Sequence, residues 1–437
     1  MTYHKLLKLN PDFRRLWIGQ VISEIGDWLN NIAILALTIQ AAGAGREGVA
    51  ISIYAAARHL PLFIFGPIAG VIVDRWNRRK VMIAADLTRA GLALGFLLTL
   101  IFAALPVIYI AGALLFSVSA FFNAAKRASL PNLVSGAEEL LAANSLSAST
   151  TAATIAVGSA LGGVVATFVG RNAVFVLNAI TFLVSAEMIR RIRGTTRRRV
   201  LPITDSALSM RGRHPLSRLS ADFIDGLRYV RRVDVLTAVF IVAAGWGLGN
   251  GVARALYSIF GARLGIQTLS GIVARPTDFG ISVLFVAMGV GGVIGAPIAK
   301  RFNSAAGDAL GARMGRSLFF DGCGLVLFSF MPGLWGAALV LAAREANFAI
   351  WWTAQQTLIM RSTDDRFSGR VFASFETLTT LMMVTSILAA GLSADRFGIR
   401  PVAAIGGTII VASGVVWFIL RKGRSRSQNL QPVVEDY

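Results

Sequence analysis

The chain has 437 residues, 55% of them hydrophobic and 15% charged, with a mean hydropathy of +0.65. Soluble domains carry roughly 25% charged residues, so this composition excludes an ordinary globular protein and points to lipid. The formal charge of +20 would suit a nucleic-acid binder, but the Lys and Arg residues cluster between apolar stretches instead of covering one face of a domain, which argues against that class.

Apolar stretches of spanning length occupy 16–40, 49–73, 81–103, 105–125, 143–169 and 172–189, then 233–260, 280–299, 317–331, 333–360, 371–393 and 399–420. A span needs roughly 20 residues, so twelve consume about 240 and leave room for short connections only. The first stretch carries Glu24 and Asp27 and runs to Ile39 without a small-residue cleavage pattern; it reads as a retained span, not a signal peptide. The long connection, 190–232, opens with Arg190-Arg191-Ile192-Arg193 and continues through Arg197-Arg198-Arg199. It divides the chain into a six-helix bundle (1–189), a basic linker (190–232), a second bundle (233–421) and a tail (422–437). Cys323 is alone, which excludes an intramolecular disulfide and a cysteine-based metal cluster.

Charge orients these spans. With the N-terminus inside, 33 of the 43 Lys and Arg residues fall in cytoplasmic segments, six (Arg46, Arg171, Arg263, Arg275, Arg396, Arg400) lie outside, and Arg58, Arg89, Arg254 and Arg344 lie within spans. So lopsided a division predicts cytoplasmic termini in a bacterial inner membrane. The halves echo each other. Gly66-Pro67-Ile68-Ala69-Gly70 ends span 2 before Asp74-Arg75, and Gly291-Gly292-Val293-Ile294-Gly295-Ala296-Pro297 ends span 8 before Lys300-Arg301. Repeats in corresponding positions predict two related bundles around a central cavity.

The stretch Gly70-Val71-Ile72-Val73-Asp74-Arg75-Trp76-Asn77-Arg78-Arg79-Lys80 resembles the signature loop of the major facilitator superfamily, in the right place and on the right side. Phe13-Arg14-Arg15-Leu16-Trp17, Gly26-Asp27-Trp28, Ala128-Ser129-Leu130-Pro131-Asn132-Leu133-Val134, Ala143-Asn144-Ser145-Leu146, Gly369-Arg370-Val371 and Gly391-Leu392-Ser393-Ala394-Asp395-Arg396 resemble its branch of macrolide-efflux and siderophore-export proteins. The resemblance implies an all-α fold of twelve helices and a latch in which Asp74, with Gly70, Arg75, Arg78 and Arg79, docks on the start of span 11 near Gly369 and Arg370. Glu376 is a second latch candidate, facing Lys300 or Arg301. The sequence departs from the branch at Ser159, where family exporters often carry proline, at Thr154, which replaces a glycine, and at Ala124. The Ser159 departure leaves the direction of transport open.

Glu24 and Asp27 share a face of span 1 and rise about 15 and 20 Å from Arg14, to mid-membrane. A charge at that depth asks for a counter-charge or a wet cavity, and Arg58 reaches similar depth along span 2. Two readings stand: Glu24 or Asp27 pairs with Arg58 and couples proton to solute movement, or the pair is static. Asp86 and Arg89, three apart, suit a structural pair. Arg344 and Glu345 point to different faces of span 10, so they are not expected to pair with each other. Arg254 and Asp321 are weaker candidates. Asn30, Asn31, Trp246, Asn250, Arg344, Trp351, Trp352, Gln355 and Gln356 are polar or amphipathic residues inside spans and candidate solute contacts.

No phosphate loop, dinucleotide fingerprint or helical zinc pair is present, so neither cofactor, metal nor enzymatic activity is expected, and uphill transport must draw on an ion gradient. The expected function is a proton-coupled exporter of a small apolar or amphipathic solute, acting as a monomer. The alternatives are a lipid or lysophospholipid flippase, an importer, or a non-transporting scaffold, which would gain little from charges at lipid depth.

Overall fold

The computed structural model describes residues 3–100, 102, 104–193, 215–302 and 308–428. The chain order is α1 (Tyr3–Leu9), α2 (Pro11–Ala42), α3 (Glu47–Arg75), α4 (Arg78–Gly95), α5 (Leu105–Leu133), α6 (Ala137–Phe168) and α7 (Arg171–Arg190). There follow α8 (Pro215–Arg232), α9 (Asp234–Leu269), α10 (Pro276–Phe302), α11 (Asp308–Phe330), α12 (Leu334–Arg361), α13 (Asp365–Phe397) and α14 (Ile399–Gln428). Among the described residues there is no strand. Arg197, Arg198 and Arg199, the rest of 194–214 and the tail beyond 428 lie outside the described residues.

The long helices match the apolar stretches and overrun most of them at one or both ends. Local chemistry explains several of the limits. Asn10 caps α2, its side chain accepting from the Phe13 amide at 2.9 Å, with Pro11 at the first helical position. Asn77 caps α4 by accepting from the Lys80 amide at 3.2 Å. Gly43, at φ +75, ends α2 in a conformation that side chains other than glycine rarely adopt.

Nine of the helices among the described residues are long and apolar enough to cross a membrane: α3 to α7, α9, α10, α13 and α14. The other three long helices, α2, α11 and α12, carry Glu24 and Asp27, Asp321, and Arg344 and Glu345.

Packing follows the same plan twice. In the first half α2 packs on α6 and α7, α3 on α5, and α4 on α5 and α7. In the second, α9 packs on α13 and α14, α10 on α12, and α11 on α12 and α14. Each pairing maps onto its counterpart when a helix of one half is matched to the helix of the same rank in the other. Small residues permit the closest approaches, as expected where lipid removes the hydrophobic drive between helices: a Cβ on Gly158 would lie 2.6 Å from the Ile25 carbonyl, and one on Gly261 2.7 Å from Ile281 Cα.

The halves join along two seams, α3 on α13 and α6 on α10. The α3–α13 contacts of Gly48, Val49 and Ser52 lie at the end opposite Arg75 and Lys80. We call that the far end, and the other the basic end.

Two helices were not expected: the short α1 ahead of the first span, and α8, inside the linker. Helix α8 packs on the start of α13, where Ser374 Oγ donates to the Phe223 carbonyl at 3.1 Å, the Asp364 amide donates to Tyr229 Oη at 3.2 Å, and Tyr229 stacks on Phe367 at 4.5 Å.

Candidate functional site

All the carboxylates noted at mid-depth gather into two clusters, one per half, each around a basic residue. In the first half Arg89 reaches both Asp27, at 3.8 Å, and Asp86, its neighbour one turn earlier. Its guanidinium lies 4.3 Å from both the Phe122 and Phe182 ring centroids, which fixes its height. Asp86 is fully buried, whereas the Asp27 side chain is 29% exposed. Glu24 sits 3.8 Å from Lys126 and accepts from Gln20 at 2.8 Å and from Thr154 Oγ1 at 3.2 Å.

The expected pairing of Glu24 or Asp27 with Arg58 is corrected by this geometry. Arg58 donates to Asn31 Oδ1. Its guanidinium lies 5.0 Å from both the Trp28 and Phe116 rings, so aromatic faces and an amide hold it, while Arg89 and Lys126 face the carboxylates. Sequence distance along span 2 gave Arg58 the right depth but could not show that α4 and α5 supply nearer cations. Asn30 and Asn31 are both buried.

In the second half Arg344 is the hub. Its Nε lies 3.1 Å from Asp321 Oδ1 and its Nη2 donates to Asp321 Oδ2 at 3.2 Å. It also donates to Tyr257 Oη and, at 3.3 Å, to Asn250 Oδ1. Glu345 comes within 3.9 Å of the same guanidinium. The expectation that Arg344 and Glu345 stand apart is thereby corrected. Their Cβ atoms leave α12 in different directions, but the long Arg344 side chain curls toward α11 and brings its head within reach of both carboxylates. Asp321, weak in the sequence reading, is its main counter-charge.

Beside this hub Trp246, Phe348, Trp351 and Trp352 form one aromatic block, with Trp246 to Trp351 at 4.5 Å and Phe348 to Trp352 at 5.8 Å between centroids. Trp246, Trp351 and Gln355 are buried, and Trp352 keeps 38% of its surface exposed. Gln356 is half-buried one residue on.

At the far end polar contacts cross between the halves. The Asp395 carboxylate accepts from the Gly48 amide at 2.7 Å and from the Val49 amide at 2.9 Å. Ser52 Oγ donates to the Ile387 carbonyl at 2.8 Å, and Ser282 Oγ to the Ser159 carbonyl at 2.7 Å. Arg171 makes two 2.8 Å bonds to the buried Asp278. Ser159, the departure from the branch pattern, thus sits buried in the α6–α10 seam.

At the basic end, Arg78 and Arg79 of the expected latch make hydrogen bonds within their own half. Arg78 donates to the Ala128 carbonyl at 2.5 Å and Arg79 to that of Arg190, tying α4 to α5 and α7 of its own half. Arg75 and Glu376 are exposed. A Cβ on Gly70 or on Gly369 would meet nothing within 4 Å. The Arg370 carbonyl faces Gly226 of α8. The Asp74 side chain lies outside the described residues. The sequence contained a signal for the far-end contact: Gly391 to Asp395-Arg396 repeats the spacing of Gly70 to Asp74-Arg75.

Among the described residues no group of three His, Cys, Asp or Glu side chains could hold a metal ion.

The profile of the transmembrane secretion effector family matches residues 8–435. An uncharacterized MFS-type transporter of Bacillus subtilis, YfiS, is 24% identical over 93% of this chain and 92% of its own length. Macrolide efflux protein A of Streptococcus pyogenes is also 24% identical, over 92% of this chain and 94% of its own. Among solved structures, the nucleoside transporter NupG superposes with a TM-score of 0.72 at 10% identity, covering 94% of this chain and 99% of that one. A bacterial homologue of the iron transporter ferroportin in its inward-facing state superposes with a TM-score of 0.69 at 15% identity, covering 94% and 98%. At these identities the structures speak for the fold alone.

Proposed function

The chain belongs to the transmembrane secretion effector family of MFS-type transporters, and from that premise we propose that it is a proton-coupled exporter of a small amphipathic solute, working by alternating access in a bacterial inner membrane. In this reading both bundles span the membrane with six helices each, the basic end and both termini face the cytoplasm, and the conformation is closed at the far end and open inward. The efflux relative supports an outward direction and makes a macrolide a sensible first probe.

The observation that carries proton coupling is the sharing of Arg89 between a fully buried Asp86 and a partly accessible Asp27. One positive charge cannot balance two carboxylates, so a proton on one of them restores the balance. Protonation of Asp27 releases Arg89 to Asp86 alone, and deprotonation draws it back toward α2. The accessible member of the pair is the one a proton can reach.

The test uses inverted membrane vesicles with an imposed pH gradient. Solute accumulation that collapses with a protonophore, accompanied by solute-dependent proton flux, is the expected result. Lipid translocation without proton flux would replace the reading with a flippase. Uptake in right-side-out vesicles alone would make it an importer, and no movement of any solute would leave a scaffold.

A further inference from the structure

Arg254 stands apart from the two clusters. It projects from α9 at about 30 Å from that helix's basic end, and Arg58 and His59 lie about 25 Å from the basic end of α3, at 1.5 Å per residue. All three are therefore at similar mid-depth, and α3 and α9 are in contact. Arg58 lies over the Trp28 ring, Trp28 meets Phe285, and Met288, one turn along α10 from Phe285, meets Arg254, so Arg58, with its chain neighbour His59, and Arg254 border the same part of the interface between the halves.

Their surroundings differ sharply from those of the other buried cations. Arg89, Lys126 and Arg344 each have a carboxylate within 4 Å. Arg254 has none among the described residues, and the acceptor it meets is the thioether of Met288, at 3.4 Å. A sulfur of that kind is a weak acceptor and leaves the guanidinium's charge unanswered in a low-dielectric setting. The carboxylates of the same half, Asp321 and Glu345, are both engaged with Arg344. Those of the other half are held by Arg89 and by Lys126, Gln20 and Thr154. A cation at this depth without a fixed counter-charge is expensive, and such residues mark ligand pathways.

Apolar surface lies to either side. Trp28 of α2 meets Phe285 of α10 across the halves at 6.0 Å. The aromatic block around Trp246 and Trp352 begins eight residues along α9, about 12 Å toward the basic end. Arg254, Arg58, His59, Trp28 and Phe285 are all partly accessible.

We infer that Arg254, with Arg58 and His59 opposite it, is the binding site for the acidic head of the transported solute, which is an amphipathic anion: a carboxylate or phosphate on a lipophilic body that lies against the aromatic faces. The inference rests on the transporter reading above and narrows its substrate class.

The test measures binding to the full-length protein in detergent by energy transfer from its tryptophans to four pyrene probes. These are pyrenebutyrate, its methyl ester, a trimethylammonium analogue, and a single-chain lysophosphatidate with a pyrene-labelled acyl chain. The expected result is that at least one anion binds about tenfold or more tightly than the ester. Whichever anion is the tighter identifies the source as a soluble acid or a lysolipid. Arg254→Gln should bring the anions to the level at which the same variant binds the ester, a cooperative thermal unfolding transition showing that the variant is folded, and Arg254→Lys should keep part of the preference. The inference is overturned if the ester or the ammonium probe binds as tightly as both anions, if the preference survives Arg254→Gln, or if no probe binds. Proton-coupled efflux of cationic or neutral dyes alone would sink this assignment and leave the transporter reading standing.

Discussion

Asp395, at the end of α13, joins the two halves at the far end by accepting the backbone amide of Gly48, and with it that of Val49, at the start of α3. A carboxylate at the C-terminus of its own helix opposes that helix's dipole, and it gains by turning to the free amides at the N-terminus of another. Gly48 is required for the approach, because a Cβ there would lie 2.5 Å from the Gly391 carbonyl and 2.7 Å from the Asp395 carboxylate. Hydrogen bonds to a charged group contribute about 1.5–3 kcal/mol. Asp395→Ala should therefore shift the balance of conformations about 10- to 100-fold away from the far-end-closed state. Gly48→Ala should shift it the same way with the carboxylate intact. Spin labels on Ala44→Cys and Ile272→Cys, in a Cys323→Ser background, read the change as a longer distance population. Unchanged distances in both variants would show that this contact does not hold the face shut.

The two carboxylates around Arg89 should separate in their effects. Asp27→Asn is expected to abolish the pH dependence of transport while the protein remains folded, because its partly exposed side chain makes one 3.8 Å contact. Asp86→Asn leaves Arg89 without its buried counter-charge, and breaking such a pair costs about 3–5 kcal/mol, so it should lower the thermal unfolding midpoint markedly. Purified protein followed by tryptophan fluorescence on heating gives the second result, and vesicle transport across external pH gives the first. An Asp27→Asn variant with full, pH-dependent transport would remove the coupling role.

Much of this arrangement is legible in the sequence because lipid imposes a simple rule on length and polarity. The apolar runs, the basic linker and the division into halves follow from it, and the Gly70 to Lys80 motif gives the family resemblance. What the sequence hides is which helix faces which. Arg58 and Asp27 match in depth, yet α4 and α5 deliver Arg89 and Lys126 first, and depth alone contains no angular information. Arg344 and Glu345 point apart at Cβ, but a side chain with four rotatable bonds erases that distinction. Helix α8 was missed for another reason: its Arg-rich composition reads as a connection, although Phe223, Leu227 and Val230 stand at i, i+4 and i+7, the spacing of one helix face, and it is α13 that this face covers.

Arg344 and Asp321 offer a cleaner energetic test, since both are almost wholly buried, at 2% and 1% side-chain exposure. Each single replacement, Arg344→Gln or Asp321→Asn, strands a charge in the core and should destabilise by about 3–5 kcal/mol. The double variant should cost distinctly less than the two together, because neither charge is left behind. Guanidinium-free thermal scans of all four proteins in one detergent provide the cycle. Additive losses would mean that Tyr257, Asn250 and Glu345 hold Arg344 as firmly as Asp321 does.

The glycines of α6 and α4 should respond in opposite ways to the same change. A Cβ on Gly162 would lie 2.8 Å from the Leu29 carbonyl and 2.9 Å from Leu29 Cα. Both are backbone atoms of α2, which cannot turn aside as a side chain can, so Gly162→Ala forces the helices apart and should cost about 1–3 kcal/mol, the usual penalty of overpacking. A Cβ on Gly91 meets nothing within 4 Å, and alanine there removes backbone freedom from the unfolded chain without a clash. Gly91→Ala should be neutral or stabilising by up to about 1 kcal/mol. Because α2 carries Glu24 and Asp27, the cost at Gly162 should appear twice: as a lower unfolding midpoint and as weaker proton-coupled transport, while Gly91→Ala leaves transport at the wild-type rate. Equal unfolding midpoints for the two alanine variants would show that α2 and α6 are not in the close contact described, and with it the placement of Glu24 against Thr154 would fall.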